Sequence, residues 1–459
     1  MLARLARMLG FPKRSLDAAA GGRRWADDRR VTSPGALQAG AATIAARAAH
    51  FAANDALGSR IVESLTSNIV GVGIKPRSLL ESEPVRRRLH ARFRAWTDEA
   101  DADGRMDFFA LQAALVRDMV VTGEGLAVFT TSPSGAPQLR RLHPEQLDRS
   151  VTRPAEGGGI VHLGVEMDRG GRVVAYHIRE DAPGSPFGMP SAPIRMPASE
   201  VIHLFRPLMP GQVRGLSWFT AVLVPAKELD ALADAMLVRA KVAALFAGVV
   251  MDADGSGLLQ GEGSDGTVTA SLEPGALVSL PPGKSVEFAD VPDQGGAAGL
   301  MVSTMRLIAS GAGVTYEQAS GDYSHTNYSS ARAGLLEHRK FIETVQHHTV
   351  AFQLLRPVWN RFARWQVLMG GLPATLYQPA LAVDWLPPGW PQVDPQKEIE
   401  ATVAAINAGL KSRSEAIAER GLDAEDVDRQ IAADAARLAK LGVVLQPAPS
   451  TSTTKEPAQ

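Results

Sequence analysis

Residues 321–370 read GDYSHTNYSSARAGLLEHRKFIETVQHHTVAFQLLRPVWNRFARWQVLMG. A polar loop carrying two aromatics, Asp322-Tyr323-Ser324-His325-Thr326-Asn327-Tyr328, opens the stretch, and the longest helical pattern of the chain follows it. Asn327 or Ser329 can accept a free amide of the first turn, so the pattern predicts a helix over 331–355. At 1.5 Å per residue that helix spans about 37 Å. Pro357 lacks an amide proton and is expected to kink or end it. Leu355, Val358, Phe362, Trp365 and Met369 then continue an apolar stripe at spacings of three and four, which reads as a core face. His325, His347 and His348 have no metal-ligand spacing, and no nucleophile stands beside a base. An elaborate loop at the head of a long helix, without chemistry of its own, points to a working part of an assembly.

Outward from this stretch the chain alternates helical and β-rich regions. Residues 1–30 hold eight Lys/Arg against three Asp and read as a basic N-terminal arm rather than a transit peptide. Helices are expected at 36–51, 55–70, 84–96 and 107–121, with Asn54 and Asp107 as caps. In the second, Ile61, Leu65 and Ile69 form one apolar stripe. Strands are expected at 126–130, 138–142, 161–167, 172–178 and 200–205, with Asp168-Arg169-Gly170-Gly171 turning a hairpin. The Pro/Gly/Ser-dense run 181–197 reads as an exposed excursion. A second long helix is expected at 216–246 and another at 300–308. Between them, glycine-rich 252–296 carries short strands at 276–280 and 285–288. Residues 372–392, with five prolines and two tryptophans, read as an irregular packed loop. Helices at 395–410, 414–420 and 424–441 follow, capped by Asp394 or Ser414, before a Pro/Ser/Thr-rich tail.

Composition narrows the function classes. With 45% hydrophobic and 21% charged residues the 459-residue chain can bury a sizeable core. Cysteine is absent, so disulfides, thiolate metal sites and a Cys nucleophile are excluded, which suits an intracellular origin. The formal charge of −1 argues against a protein that grips DNA by neutralising phosphates. It does not exclude one that touches DNA without holding it. The best apolar run, 236–251, is interrupted by Arg239 and Lys241 and reads as a soluble helix.

The catalytic fragments fail their own spacing rules. Pro282-Gly283-Lys284-Ser285 has Val278 where a phosphate-binding loop needs glycine. Asp252-Ala253-Asp254-Gly255 has Gly263 where a calcium loop needs its bidentate Glu. Gly123-Glu124-Gly125 lacks a third glycine and reads as a helix stop or turn. No G-x-S-x-G elbow or H-E-x-x-H helix accompanies His143 or His203, and His203 at a strand end reads as structural. No cofactor or metal is implied, and the chain is not expected to be an enzyme.

Three elements form a set: Pro210-Gly211-Gln212-Val213-Arg214-Gly215, Asn327-Tyr328-Ser329-Ser330-Ala331-Arg332, and Asp394-Pro395-Gln396-Lys397-Glu398. Together they resemble the lambda-type family of tailed-phage portal proteins over roughly residues 25–444. Met209 before PGQ and Ala53 before Asn54 depart from arginines common in that family. The resemblance implies a mixed α+β, helix-dominated portal-type fold with wing, stem, clip and crown, assembling as a homo-oligomeric ring, usually dodecameric. It implies a wing over 31–215, stem helices at 216–250 and 297–313, and a clip at 251–296. A tunnel loop would occupy 314–330, a long helix returning to the wing 331–394, and a helical crown 395–445, before a disordered tail over 446–459. Such a ring sits at one capsid vertex of a virion made in the bacterial cytoplasm. Double-stranded DNA is packaged and ejected through it without sequence preference, and no membrane is involved. Its partners are the terminase large subunit, the head-tail connector protein and the major capsid protein. Tyr316, Asp322, Tyr323, His325, Asn327 and Tyr328 become candidate channel-loop residues, and Lys284 and Glu287 candidate clip contacts for terminase. Packing of Tyr323 and Tyr328 at a subunit contact is the competing reading of that loop. A capsid adaptor or scaffold without a channel, or a nucleotide hydrolase using Lys284, are the alternatives for the whole chain.

Overall fold

The computed structural model describes residues 35, 38–181, 192–245, 249–252, 284–287, 296–324, 326–391 and 394–443. Helices α1 (Ala41–Asn54) and α2 (Ala56–Ile69) meet at Asp55, whose Oδ1 accepts the Gly58 amide at 3.0 Å. Asp55, not the expected Asn54, is therefore the cap; the Asn54 side chain donates back to the His50 carbonyl inside α1. Ile61, Leu65 and Ile69 are fully buried, as their spacing predicts. Strand β1 (Lys75–Ser78), α3 (Glu83–Thr97) and α4 (Phe108–Thr122) follow. Asp107 caps α4 by accepting the Ala110 amide at 2.7 Å.

The β-rich part forms two sheets. Hairpin β2 (Glu124–Thr131) and β3 (Pro137–Leu142) opens it. A five-stranded antiparallel sheet runs β4 (Arg153–Pro154), β5 (Ile160–His162), β6 (Val165–Met167), β7 (Val173–Ile178), β8 (Ile194–Pro197). Strand β9 (Val201–Phe205) then returns to pair with β2. The single strand expected at 161–167 is a hairpin instead. Its turn needs Leu163 at φ 52° and Gly164 at φ 83°, and a Cβ on Gly164 would lie 2.6 Å from the Asp148 carbonyl. That demand comes from packing, and local alternation cannot reveal it. The expected excursion also contributes β8, which gains ladder bonds to β7, while 182–191 lie outside the described residues.

Residues 216–222 turn rather than join the helix, and α5 (Leu223–Leu245) begins later than the pattern implied. Strands β10 (Val249–Asp252) and β11 (Lys284–Glu287) pair antiparallel, and α6 (Gly296–Ala312) packs back along α5. The rest of the expected 252–296 insertion, including the strand at 276–280, lies outside the described residues.

A short α7 (Tyr316–Ser320) precedes α8 (Tyr328–Val345), which continues through a π-helical segment, Gln346–Leu355, into α9 (Arg356–Leu368). Pro357 neither ends nor interrupts this helix. A proline ring collides with the carbonyl four residues back in an α-helix; the wider i→i+5 turns just ahead of Pro357 shift that carbonyl aside. The expected irregular loop 372–392 contains α10 (Tyr377–Ala380) and β12 (Val383–Leu386), the antiparallel partner of β1. Helices α11 (Pro395–Asn407), α12 (Arg413–Ala418) and α13 (Ala424–Leu441) close the described chain and bury no residue. Ser412, not Ser414, caps α12 through the Glu415 amide at 3.0 Å.

One large core joins α1–α4, α6, the long helix and part of β2–β3–β9. Its centre is aromatic: Phe93 and Trp96 meet Trp359 and Phe362 from α9, and Phe108 packs against Phe93 and Trp96. A smaller core lies between β2 and the five-stranded sheet. The architecture is mixed α+β and helix-dominated.

Candidate functional site: the turn before the long helix

The 314–330 segment is a built turn, held at both ends. Thr315 and Gln318 form a reciprocal capping box at the start of α7: the Gln318 amide donates to Thr315 Oγ1 at 3.2 Å, and the Thr315 amide donates to Gln318 Oε1 at 2.9 Å. Gly321, at φ 72°, closes α7 by donating to the Glu317 carbonyl. Asp322 then accepts the Ser324 amide at 2.9 Å and the Tyr316 hydroxyl at 3.2 Å. Thr326 Oγ1 donates to Glu317 Oε1 at 3.1 Å, folding the turn back over α7. Asn327 caps α8 by accepting the Ser330 amide at 2.8 Å.

Neighbouring helices fix the base of this turn. Arg60 of α2 donates to the Gln318 carbonyl at 3.1 Å, and the Arg306 guanidinium of α6 lies 5.2 Å from the Tyr316 ring centroid. From α8, His338 Nδ1 reaches the Gly313 carbonyl at 3.1 Å. Burial lowers the His338 pKa, against the raising effect of that hydrogen bond, which favours the neutral ring with Nδ1 donating.

The predicted site residues thus separate by role. Tyr316 is half-buried under Arg306, Asp322 ties the turn, and Asn327 is an exposed cap. Tyr328 is the first residue of α8 rather than part of the loop, because the cap precedes it. Tyr323 is 62% exposed at the tip. His325 lies outside the described residues. Lys284 and Glu287 bound β11, and a lysine that opens a strand lacks the helix start a phosphate-binding loop requires. Among the described residues no cluster of three or more His, Cys, Asp or Glu could hold a metal ion, and no helix is long and apolar enough to cross a membrane. Replacing Asn327 by alanine is expected to cost about 1 kcal/mol and to fray the first turn of α8, while aspartate holds the cap. Hydrogen exchange at residues 329–331 in the two variants checks this.

The PGQ-x-RG element, legible only as a motif, anchors the other end of the working region. Gln212 Oε1 accepts the Leu208 amide at 2.7 Å while Nε2 donates to the Arg214 carbonyl at 2.8 Å. Arg214 is completely buried. Its guanidinium donates to both Glu124 oxygens at 2.7–3.0 Å, and to the carbonyls of Pro144, Leu147 and Leu163 at 3.0–3.1 Å. One side chain so joins both sheets and the start of the path into α5. Gly215 passes so close to Gly123 that a Cβ would stand 1.9 Å from its carbonyl oxygen. Burial by itself, the largest single influence, would raise the Glu124 pKa; the Arg214 charge and hydrogen bonds and the nearby His203 together outweigh it and hold the carboxyl well below its ordinary value. His203 Nε2 is 3.7 Å from Glu124, beyond hydrogen-bond reach. The sequence signals of this pair are a Glu between two glycines, which reads as a helix stop or turn, and an Arg inside the PGQ-x-RG motif; neither points to the other.

Residues 22–346 match the family described as phage portal protein, lambda family. The probable portal protein of Halomonas phage phiHAP-1 is 26% identical over 422 residues, covering 87% of this chain and 81% of the relative. Portal protein B of Escherichia phage lambda is 28% identical over 334 residues, 64% of this chain and 61% of that protein. Among solved structures, the neck of a native gene transfer agent particle is similar with a TM-score of 0.47 at 18% identity, covering 80% of this chain and 91% of that one. A portal protein of the HK97 family from Corynebacterium diphtheriae gives a TM-score of 0.31 at 14% identity, covering 79% and 96%. With more than half of its 459 residues matched, the chain belongs to the lambda family of phage portal proteins.

Proposed function

We propose that this chain forms a homo-oligomeric ring, dodecameric in the family's usual form, at one capsid vertex. Double-stranded DNA enters and leaves through it, and terminase, a connector protein and the major capsid protein dock on it. One observation carries the ring. The antiparallel pair α5 and α6 leaves Val224, Leu237, Val238, Leu300 and Leu307 exposed, Val224 to 70%. Apolar side chains at this density on a projecting hairpin call for a covering partner, and a copy of the same hairpin on either side supplies one. On this reading α5 and α6 are the stem, β10 and β11 the clip base carrying Lys284 and Glu287, and α11–α13 the crown. The formal charge of −1 suits a conduit, since each phosphate neutralised would add affinity and slow sliding.

Electron microscopy of the purified protein is expected to show rings with an axial opening. Uniformly monomeric particles under assembly conditions would overturn the reading, and rings with a closed centre would favour an adaptor. Within the ring Tyr323 faces the passing DNA, and Tyr328, the first residue of α8, is the second candidate. Tyr323→Ala combined with Tyr328→Ala is expected to leave ring yield unchanged and to lower DNA packaging or retention severalfold. Normal packaging by that variant would reject the channel role.

A further inference from the structure

Strand β1 is held on its outer side by a histidine. In the antiparallel ladder with β12, Ser78 stands opposite Val383, and the next amide, that of Leu79, donates to the Ala382 carbonyl at 3.0 Å. Antiparallel ladders alternate bonded and non-bonded pairs, so the Ser78 amide points out of the ladder. It donates instead to His90 Nε2 of α3 at 2.9 Å. Ser78 is buried, so water does not stand in for this acceptor. The bond also fixes the state of the ring. Nε2 accepts only while its lone pair is free, so His90 is neutral here and carries its proton on Nδ1.

The same ring borders the helix that closes the described chain. His90 lines a cavity of about 350 Å³ together with Asp423, the cap of α13, and Asp426 in its first turn. Lys75 of β1 and Arg94 of α3 are the other charged residues on that cavity. Arg86 of α3 and Glu425 of α13, paired with each other, complete the charged surroundings. Burial lowers the His90 pKa from 6.5 and Arg86 adds to this, while Asp423, Asp426 and Glu425 pull the other way. The neutral ring is therefore favoured in the fold. Its bond to Ser78 is complete above 6.5 and is given up as pH falls below 6.5 toward the folded-state value.

Each protonation state has its own partner. A proton on Nε2 sets one donor against another, because the Ser78 amide already points at that nitrogen. The carboxylates that attract a positive ring belong to α13, across the shared cavity. We propose that His90 is a proton-operated latch between β1 and α13. Neutral, it holds the Ser78 amide; protonated, it releases Ser78 and turns toward Asp423 and Asp426. The ion pairs Arg86–Glu425 and Arg429–Glu83 keep α13 on α3 in both states, so the change is local. What the proton decides is which element α3 grips more firmly: the strand paired with Val383–Leu386, or the first turn of α13. The latch lies within one copy and does not depend on the ring.

Amide hydrogen exchange of the full-length protein tests this, read residue by residue by mass spectrometry and corrected for the intrinsic effect of pH. Between about pH 7.5 and about pH 5.5, the range in which histidine changes charge, protection of the Ser78 amide is expected to fall about tenfold, the loss of one buried acceptor. The Val427 amide, which donates to the Asp423 carbonyl in the first turn of α13, should keep or gain protection. Leu115, fully buried in the large core, serves as the reference for the whole fold. His90→Gln retains an acceptor and does not titrate, so its Ser78 protection should stay flat. Asp423→Asn combined with Asp426→Asn keeps the helix cap but removes the acid-state partner; the midpoint of the Ser78 change should move down by about one pH unit. Four results would each overturn the latch: Ser78 protection that does not respond to pH, an equal response in His90→Gln, an unmoved midpoint in the double variant, or loss at Val427 or Leu115 in step with Ser78.

Discussion

Replacing Arg214 by alanine is expected to destabilise the folded chain by about 3–5 kcal/mol, because it leaves the buried Glu124 carboxylate without its hydrogen-bonded counter-charge, with only Arg149 remaining at 3.6 Å. The loss is larger than for an exposed pair, which contributes about 0–1 kcal/mol. Glu124 is 1% exposed and Arg214 is 0% exposed, so water cannot take over the missing bonds. Lysine should not rescue. Its single ammonium cannot reproduce the two-pronged contact with Glu124 while also reaching three carbonyls. Pairing Arg214→Met with Glu124→Gln should recover part of the loss by removing both charges together. Chemical denaturation of the three variants separates these outcomes.

The same pair predicts an acid limb. The Glu124 carboxyl in the folded state titrates below its ordinary value of 4.5, so the unfolded chain binds the proton first. The stabilisation is therefore complete above that ordinary value and is lost as pH falls below 4.5 toward the folded-state value. Glu124→Gln should flatten that limb of the stability curve while lowering its plateau. An acid limb unchanged in that variant would assign acid sensitivity to other carboxylates, Glu166 among them, whose pKa is lowered chiefly by its hydrogen bonds with Arg195.

The difference between what was and was not legible follows from the range of each constraint. The Ile61-Leu65-Ile69 stripe, the Asp107 cap and the Asp168 turn depend on residues within a few positions, and each forms as read. Strand β12 depends on a partner at the other end of the chain, and its five-proline surroundings concealed a four-residue ladder. The π segment arises from the meeting of Pro357 with a helix that packing on α3 does not allow to stop. In the candidate site the loop was legible as a loop, but composition could not tell a tyrosine that builds it from one that projects. Tyr316 and Tyr323 differ only in what lies nearby: Arg306 and Asp322 engage the first, while the second is exposed. The Glu124–Arg214 pair was invisible as a pair because its members lie 90 positions apart; Glu124 stands between glycines that read as a helix stop or turn, and Arg214 is legible only as part of a motif.

Trp359→Ala is the second large expected effect, about 3–5 kcal/mol for removing a fully buried aromatic side chain. Trp359 is 0% exposed, its ring centroid lies 5.4 Å from Phe93 and 5.8 Å from Phe362, and Nε1 donates to the Ala380 carbonyl at 2.8 Å. It therefore joins α9 to α3 on one side and to the approach of β12 on the other. Phenylalanine at this position keeps much of the packed ring but leaves the Ala380 carbonyl unbonded, a loss of about 1–3 kcal/mol. Equal losses in the two variants, measured by denaturation, would assign the stabilisation to the hydrogen bond rather than to the ring. The consequence reaches the working loop because α9 is continuous with α8 through the π segment. If the aromatic cluster is the fixed point of that long helix, Trp359→Ala should speed amide exchange along α8 as well as α9. The Thr315–Gln318 capping box, held separately by Arg60, should keep its protection. Faster exchange in α9 alone would mean that the π segment uncouples the two halves, and that the loop takes its position from α2 and α6 instead.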